Sequence, residues 1–396
     1  MTPPPPGDAC RVERLRLFRF RNYDEENVEL GPGLNVVVGR NAQGKTNLLE
    51  AVATVALTRS PRAGAAAEVI AWGEPACRVT AAVHRPEGPV ELDLQLRRGD
   101  SDRAVRNLAV DGKERAARSV LGVCPVVLFW PEDLQLVKGG PDGRRRLLDV
   151  VLSQTDPRTA DDMVRYRRVV EQRNAMLRMV REGSVGYDAV DAFTQQLAGL
   201  GGRIRVARAR LVAHLEPLAT AALAELTDGR ESLGLTYTGE AVDDGTRDDP
   251  IAAAHALHAL LATRRNEEIA RGVSVAGPHR DDIDMLLDGR PARSTASQGQ
   301  QRSIVLACKL AEVRHVAASA GVAPVLLLDD VLSELDAGRR LRLLAALGAG
   351  TGTQALLTTS EAASLDLPAG ADVRRFTVNA GRVSAALGVS RAEEAV

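Results

Sequence analysis

Hydrophobic runs near both ends of the chain alternate with helical patterns, which predicts an α/β fold. Residues 11–38 contain a largely alternating segment, RLRLFRF, and a mostly apolar run, LNVVVG, so the pattern predicts two strands. The second run is typical of a sheet buried on both faces. Residues 47–57 place apolar side chains on one helical face, and residues 78–113 alternate between turn sequences, which predicts antiparallel strands. Towards the C-terminus, PVLLLDD and QALLTTS predict two further buried strands.

The middle of the chain has a different character. From Pro131 to about Leu226 the pattern is helical, and residues 144–178 hold nine Arg against five acidic side chains. These arginines either lie on solvated faces with acidic partners or contact DNA. A helix is predicted over residues 251–272, followed by a hairpin that turns at Asp288-Gly289.

Together these patterns predict an α/β head that is built from both chain ends, with a helical arm inserted between them. We expect residues 10–130 to form the N-terminal part of the head and residues 131–271 to form the arm. Residues 272–390 should form the C-terminal part of the head. No internal repeat is visible.

Composition narrows the class of protein. The chain has 396 residues, 45% of them hydrophobic and 26% charged, which is ordinary for a globular protein. No apolar run approaches the ~20 residues that span a bilayer, and the proline-rich start does not resemble a secretory signal. Four cysteines without a C-x-x-C pair favour a reduced, cytoplasmic protein without a zinc site. With a net charge of −1, any nucleic-acid binding would require a local basic patch.

The sequence GRNAQGKT fits the pattern G-x-x-x-x-G-K-[ST] of a phosphate-binding loop, or P-loop. It lies between an apolar strand and an amphipathic helix, which is the expected context, although a chance match in a glycine-rich loop is the alternative. In such a loop the lysine reaches the β and γ phosphates and the hydroxyl ligates Mg²⁺. The predicted nucleotide-binding residues are Gly39, Arg40, Asn41, Ala42, Gln43, Gly44, Lys45 and Thr46.

A second candidate follows the apolar run PVLLLDD. The pattern predicts that Asp329 ends a buried strand, where its carboxylate could hold Mg²⁺ together with Thr46. Asp330 comes next and could orient or deprotonate the attacking water, so Asp330 and Lys45 are the predicted catalytic residues. The alternative is that these acids and the following SELD form an acidic helix start.

A third candidate is the polar sequence SQGQQR, which opens a predicted helix. Free N–H groups and the positive end of the helix dipole make such a helix start an anion site. Ser297, Gly299 and Gln300 are therefore predicted to contact phosphate, whereas a linker with a polar helix cap is the alternative.

These three motifs, in this order, resemble the ATP-binding-cassette ATPases. SQGQQ resembles that family's LSGGQ signature, and LLLDDVLSELD resembles its magnesium-binding strand, catalytic carboxylate and D-loop. Further blocks (FRNY, PEDLQLVKGGPDGRRRLLD, GPHRDD and DDVLSELDAGRR) resemble the RecF family of bacterial DNA recombination-repair ATPases, and they extend from residue 20 to residue 340.

The RecF resemblance implies an ATP-dependent DNA-binding protein of recombinational repair and replication restart that supports the SOS response. It implies a head-to-tail homodimer in which Ser297 and Gly299 contact the ATP that Lys45 of the other subunit holds. It also implies Mg²⁺ as cofactor, gapped or junction DNA as ligand, and RecR and RecO as partners in loading the recombinase. No membrane partner is expected.

The sequence departs from the cassette pattern in two places. Thr358 and Thr359 stand where transporter-type cassettes have a phosphate-sensing histidine, and the glutamine of the family's Q-loop is not evident, with Gln135 as a candidate. Both departures predict slow ATP hydrolysis that acts as a switch, and the RecF resemblance implies that DNA stimulates it. Two other functions remain: an SMC-like DNA tether, although only 282 residues separate Thr46 from Asp329, and a transporter ATPase subunit.

Two further polar clusters are open to more than one interpretation. His279, Arg280, Asp281 and Asp282 form either a metal or acid/base cluster or a polar strand end near the nucleotide or the dimer interface. Arg21, Asn22 and Tyr23 either contact the nucleotide or form a solvated hairpin edge.

Overall fold

Strands of mostly apolar, buried residues form the centre of a six-stranded sheet, as the hydrophobic runs predict. The computed structural model describes residues 9–99, 104–331, 340, 342–343, 345, 353–360 and 372–385. The chain divides into two compact units, of which the first joins residues 1–132 with residues 316–396 and the second comprises residues 133–315.

The first unit contains two six-stranded sheets and helix α1 (Lys45–Ala56). Its strands are β1 (Arg11–Phe20), β2 (Tyr23–Glu29), β3 (Leu34–Val38), β4 (Ala76–His84), β5 (Val90–Arg98), β6 (Ala104–Val110), β7 (Lys113–Glu114), β8 (Val126–Phe129), β12 (Val325–Asp329), β13 (Ala355–Thr359), β14 (Val373–Asn379) and β15 (Arg382–Ala385). One sheet has the order β2-β1-β4-β5-β6-β7 and is antiparallel. The other has the order β15-β14-β3-β13-β12-β8 and is parallel except for β15.

Helix α1 joins the two sheets. It contacts strands of both, and most of its residues are buried, so both sheets share its apolar surface. Gln354 adds a polar connection. Its buried amide accepts from the Val12 N–H and donates to the Val12 carbonyl of the antiparallel sheet, and it also donates to the Gly31 carbonyl before β3. The parallel sheet therefore combines strands from both chain ends, which confirms the predicted α/β head.

Residues 11–38 form three strands, so the prediction of two strands was wrong. The unpredicted strand, β2, carries four acidic residues in seven, and only Tyr23 and Val28 are buried. It is an edge strand whose backbone pairs with β1 and whose acidic side chains mostly face solvent. Its sequence therefore carries little hydrophobic alternation.

The second unit is mostly helical. Its helices are α2 (Gln135–Lys138), α3 (Pro141–Thr155), α4 (Pro157–Arg181), α5 (Asp188–Thr227), α6 (Pro250–Thr263), α7 (Arg265–Arg271), α8 (Ala292–Thr295) and α9 (Gln298–Ala320), the last of which crosses the boundary between the units after His315. A three-stranded antiparallel sheet consists of β9 (Leu233–Thr238), β10 (Asp282–Leu287) and β11 (Arg290–Pro291). The predicted hairpin at Asp288-Gly289 is confirmed by the pairing of β10 with β11.

The core of this unit lies between α4, α5 and α6. Tyr166, Leu197, Ile204 and Leu257 belong to one buried apolar cluster. Helices α5 and α6 approach closely at Gly202, where an added Cβ would lie 2.6 Å from the Pro250 carbonyl oxygen. A single helix over 251–272 was predicted, but the chain forms α6 and α7 with a break at residue 264.

The inserted unit is longer than the predicted arm. Strand β9, inside the predicted arm, pairs along its whole length with β10, which was assigned to the C-terminal part of the head. The predicted boundary at residue 271 is therefore wrong, and the unit ends at residue 315. The predicted D-loop, residues 333–336, lies outside the described residues.

Most arginines of the predicted arm make internal ion pairs. Arg173 forms a fully buried pair with Glu268, with N–O distances of 2.9 and 2.6 Å. Other pairs within the unit join Arg144 to Asp282, Arg203 to Asp162, Arg205 to Asp281 and Arg208 to Asp149. The acidic partners of the first interpretation are present. The solvated faces it predicted are wrong for Arg173, Arg205 and Arg208, which are buried and contribute to the packing of this unit.

The HRDD cluster lies inside the same network. Asp281 is buried. Its carboxylate accepts two hydrogen bonds of 2.8 Å from Arg205 and a third from the Tyr237 hydroxyl. His279 contacts Tyr166 through Nδ1 at 2.7 Å and the Ser274 carbonyl through Nε2 at 3.1 Å. Within the described ranges, no group of three or more His, Cys, Asp or Glu side chains could hold a metal ion. We therefore assign this cluster to the structure of the second unit.

None of the helices in the described part of the chain has the length and apolar character that crossing a membrane requires.

Candidate functional site

The loop between β3 and α1 has the geometry of a phosphate cradle. It leaves the parallel sheet at Gly39 and enters α1 through Gly44, whose φ of +119° is accessible to glycine alone at low cost. A Cβ at Gly44 would also lie 2.7 Å from the Asn22 amide. Helix α1 has no side-chain cap at its start, so its first N–H groups can bind an anion.

The side chain of Lys45 lies within this loop. Its Nζ donates to the carbonyl oxygens of Gly39 at 2.7 Å and Arg40 at 3.1 Å. Burial lowers the pKa of Lys45, and the nearby carboxylates of Asp330 and Asp329 oppose that shift. A cation held at the mouth of the loop could exchange these carbonyls for phosphate oxygens.

Asp329 ends β12 and meets Thr46 at the start of α1. The Thr46 hydroxyl lies 2.9 Å from both carboxylate oxygens of Asp329. Burial raises the pKa of Asp329, whereas hydrogen bonds from Thr358 and Thr46 lower it. Oxygen ligands of this kind suit Mg²⁺, so Thr46 and Asp329 fit the predicted metal site.

Thr358 is the residue of this site whose role the sequence did not reveal. It lies on β13 directly beside Asp329, and β13 separates β12 from β3. Its hydroxyl donates to Asp329 Oδ1 at 2.7 Å and accepts from the Asp330 backbone N–H at 2.9 Å. Thr358 therefore positions both predicted acids. The signal in the sequence was only that threonine stands where a histidine was expected.

Asp330 lies immediately beyond β12, and it is partly buried. Its φ is +52°, a conformation that Asp and Asn adopt more readily than other side chains. The predicted role in orienting water remains a prediction.

The FRNY segment supports the loop from behind. Asn22 Nδ2 donates to the Gln43 carbonyl at 2.9 Å, and the buried Tyr23 hydroxyl donates to the Gly44 carbonyl at 2.8 Å. Arg21 makes a bidentate pair with the buried Glu50 of α1. These residues brace the loop and its helix, which differs from both earlier interpretations.

The β14–β15 turn braces the same loop. The Ala380 N–H donates to the Gln43 side-chain oxygen at 2.7 Å, and the Gly381 N–H donates to the Gln43 backbone carbonyl at 3.0 Å. Both of these hydrogen bonds attach the loop to this hairpin. Arg40, Asn41 and Ala42 are exposed at the tip of the loop.

The predicted signature lies in the second unit, at the start of α9. Ser297 and Gln300 form a reciprocal cap: the Ser297 hydroxyl accepts from the Gln300 N–H at 3.3 Å, and the Gln300 side chain accepts from the Ser297 N–H at 2.8 Å. Ser297 is exposed. A Cβ added at Gly299 would meet no atom within 4 Å, so the chain itself does not require glycine there. Gln135, the candidate Q-loop residue, is exposed at the start of α2.

The parallel sheet, the loop before α1 and the Thr46–Asp329 pair define a P-loop ATPase head of the ATP-binding-cassette type. A family model described as the RecF/RecN/SMC N terminal domain matches residues 11–367. The chain is 42% identical over 378 residues to the DNA replication and repair protein RecF of Symbiobacterium thermophilum, covering 94% of this chain and 97% of that protein. It is 40% identical over 391 residues to the protein of the same name from Chloroflexus aurantiacus, covering 94% and 99%. The chain belongs to the RecF family.

Solved structures agree with this assignment. The RecF–ATP form of the recombination mediator protein in the RecFOR pathway matches with a TM-score of 0.87 at 27% identity, covering 96% of this chain and 98% of that one. The Smc head domain of Pyrococcus furiosus matches with a TM-score of 0.53 at 14% identity, covering 95% and 96%. The second match shows a common fold only.

Proposed function

We propose that this chain is an ATP-dependent DNA-binding protein of recombinational repair and replication restart, which pairs on ATP to clamp DNA. The observation that carries the proposal is the convergence of Lys45, Thr46, Asp329 and Thr358 at one edge of the parallel sheet. Family membership supports it, since relatives of similar length are named DNA replication and repair protein RecF.

The residues of the head have separate tasks in this proposal. ATP with Mg²⁺, when bound, supplies the phosphoanhydride bond and the charge that the site must neutralise. The N–H groups at the start of α1 and the Lys45 ammonium bind phosphate oxygens, and Thr46 with Asp329 holds the metal. Thr358 fixes the Asp329 carboxylate, and Asp330 orients the water. Because threonine replaces the usual histidine, we propose weak hydrolysis, stimulated by DNA.

We propose that the second half of the site comes from another copy of the chain. Ser297 is exposed at the start of α9, Gly299 and Gln300 are partly buried, and Gly299 has open space around it. Close approach of a neighbouring molecule gives a reason for glycine at this position. In the proposed dimer, this helix start contacts the γ-phosphate that Lys45 of the partner subunit binds.

The biological setting is part of the proposal. A clamp on gapped or junction DNA would assist loading of the recombinase and so support the SOS response. RecR and RecO are the proposed partners, since the solved RecF–ATP form is assigned to the RecFOR pathway.

Replacing Lys45 by Met tests the nucleotide site. Lys45→Met should lose most ATP affinity, because a charge-assisted contact to phosphate disappears while the fold keeps its core. Lys113→Met, an exposed lysine on β7 of the same unit, is the matched control. Unaltered ATP affinity in folded Lys45→Met protein, measured by nucleotide titration, would remove the proposed site.

Replacing Asp330 by Asn tests the catalytic step separately. Asn tolerates the positive φ of this position, so the backbone should be preserved. Asp330→Asn should bind ATP as the wild type does and turn it over more slowly. Turnover at the wild-type rate would assign the water-orienting role to another residue.

A further inference from the structure

Trp72 is an exposed aromatic side chain that the ATP site does not explain. Its side chain is 99% exposed, whereas the other exposed large apolar side chains of the described residues range from 36% to 68%. An indole buries about 150–250 Å² when it is covered, so such exposure forgoes a large apolar contact. Single exposed apolar residues are common, but a fully exposed Trp is unusual.

The backbone around Trp72 is held in one conformation. Residues 71–74 form a β-turn, in which the Glu74 N–H donates to the Ala71 carbonyl at 3.1 Å. Gly73 has a φ of +81° in this turn. The Ala71 N–H donates to the Arg19 carbonyl at 2.8 Å, which fixes the turn to the end of β1. Such pre-organisation lowers the entropy cost of using Trp72 as a binding contact.

Strand β5 holds the other side of the turn. Arg98 donates from Nε to the Glu74 carbonyl at 3.0 Å, and its backbone N–H donates to the Pro75 carbonyl at 2.8 Å. The indole is thus presented by a turn that is bonded to two strands of the antiparallel sheet.

The turn that carries Trp72 has one exposed cation bonded to it. Arg98 is exposed at the end of β5 and donates to the turn, whereas the preceding Arg97 faces the other side of the sheet. Glu74, the acid of the turn, forms an ion pair with Arg19, which also pairs with Asp24. An aromatic ring on a turn that an exposed arginine bonds can bind an unpaired nucleotide, because a base stacks on the ring and a phosphate meets the cation.

We propose that Trp72 stacks on an unpaired base of DNA and that Arg98 contacts an adjacent phosphate. This inference rests on the proposed function, because it assigns part of the DNA surface of that clamp. It explains how a clamp could distinguish gapped DNA from continuous duplex: a stacking platform requires a base that is free of its own stack.

Binding of two DNA circles by variants of Trp72 tests the inference. One circle is covalently closed duplex, and the other is the same duplex with a single-stranded gap. With ATP at fixed salt, Trp72→Ala should bind the gapped circle about 5- to 150-fold more weakly than the wild type, as loss of one stacked base predicts. Binding of the closed circle should be unchanged, and Trp72→Phe should restore much of the affinity for the gapped circle.

Two controls accompany this test. Ile251→Ala removes another exposed apolar side chain, on α6, and should bind both circles as the wild type does. Gapped DNA should quench tryptophan fluorescence in the wild type and in Ile251→Ala but much less in Trp72→Phe. Since Trp72 is exposed, its variants should unfold at the wild-type urea concentration.

The outcomes separate this inference from the proposed function. If the wild type binds neither circle, the proposed function fails and this inference fails with it. If the wild type binds DNA but Trp72→Ala binds the gapped circle equally well, only the stacking inference is overturned. Equal losses on both circles would also overturn it, because they assign Trp72 to duplex contacts. Unchanged DNA binding with altered self-association would assign Trp72 to a protein interface instead.

Discussion

Replacing Thr358 by Val should weaken both the fold and the metal site, because this one hydroxyl serves two groups. Val keeps the shape of the side chain but removes the bond to Asp329 and leaves the Asp330 N–H without this acceptor. A buried polar group deprived of its partner costs about 1–3 kcal/mol. We therefore expect the free energy of unfolding to fall by roughly this amount.

The pH dependence of ATP binding should change in a defined direction. Burial raises the pKa of Asp329 above its ordinary value, so the folded state binds the proton more tightly than the unfolded state. The free energy of unfolding therefore gains a contribution at low pH, and this contribution is lost as pH rises through the raised pKa. Metal binding needs the carboxylate, so Mg²⁺-dependent ATP affinity should fall as pH decreases through the same pKa. Without the Thr358 bond, which favours the charged form, the pKa rises further, and the fall should begin at higher pH.

Thr54→Val is the matched control for this prediction. Thr54 is also fully buried in the first unit, and its hydroxyl donates to the Glu50 carbonyl within α1, away from the acids. Urea unfolding and ATP titration at fixed Mg²⁺ across pH should show lower stability in both variants and a shifted pH dependence only in Thr358→Val. If the two variants have the same pH dependence of ATP binding, Thr358 does not position Asp329.

Two further predictions concern the stability of the second unit. Burial lowers the pKa of His279 to about 4, so the folded state keeps this side chain neutral. The contribution of His279 to the free energy of unfolding should be complete above pH ~6.5 and should fall by up to about 3 kcal/mol towards pH 4. In His279→Gln, the urea midpoint should depend less on pH between pH 6.5 and pH 4 than in the wild type. An unchanged pH dependence would assign the acid sensitivity to another group. Arg173→Met should cost about 3–5 kcal/mol in urea unfolding, because it leaves Glu268 buried and unpaired. Adding Glu268→Leu should recover much of that loss, and a double variant as unstable as the single one would contradict the reasoning.

The parts of the fold that the sequence predicted are those with local signals. Strands β3, β12 and β13 are mostly apolar, and the P-loop and Asp329 could be assigned because each lies at the end of such a strand. Two strands were missed for different reasons. Strand β2 is a polar edge strand with little hydrophobic alternation. Strand β9 does alternate, since Leu233, Leu235 and Tyr237 are buried, so its local pattern could have identified it.

The boundary of the inserted unit was wrong for a related reason. Nothing in the local pattern of residues 272–315 shows that β10 pairs with β9, which lies some fifty residues earlier in the chain. Nor does it show that Asp281 meets Arg205. These are long-range contacts, and hydrophobic periodicity carries information only about neighbours along the chain.

The candidate site shows the same division. The motif identified Lys45 and Thr46 from their spacing, but the role of Thr358 depends on the register between β12 and β13, which brings it beside Asp329. Likewise, the hydrogen bond between Asn22 and the Gln43 carbonyl depends on how the β1–β2 turn meets the loop.

We propose that two copies of the chain share each ATP site. Sedimentation velocity tests this directly, because it measures whether the chain dimerises when ATP is added. Ser297→Arg should bind ATP as a folded monomer, because the loop from Gly39 to Thr46 is untouched, yet it should fail to pair when ATP is added. Ser184→Arg, an exposed position in the same unit, is the control for the added cation and should pair normally. We expect an ATP-dependent dimer for the wild type and Ser184→Arg, and a monomer for Ser297→Arg and Lys45→Met. A Ser297→Arg protein that still dimerises with ATP would contradict it.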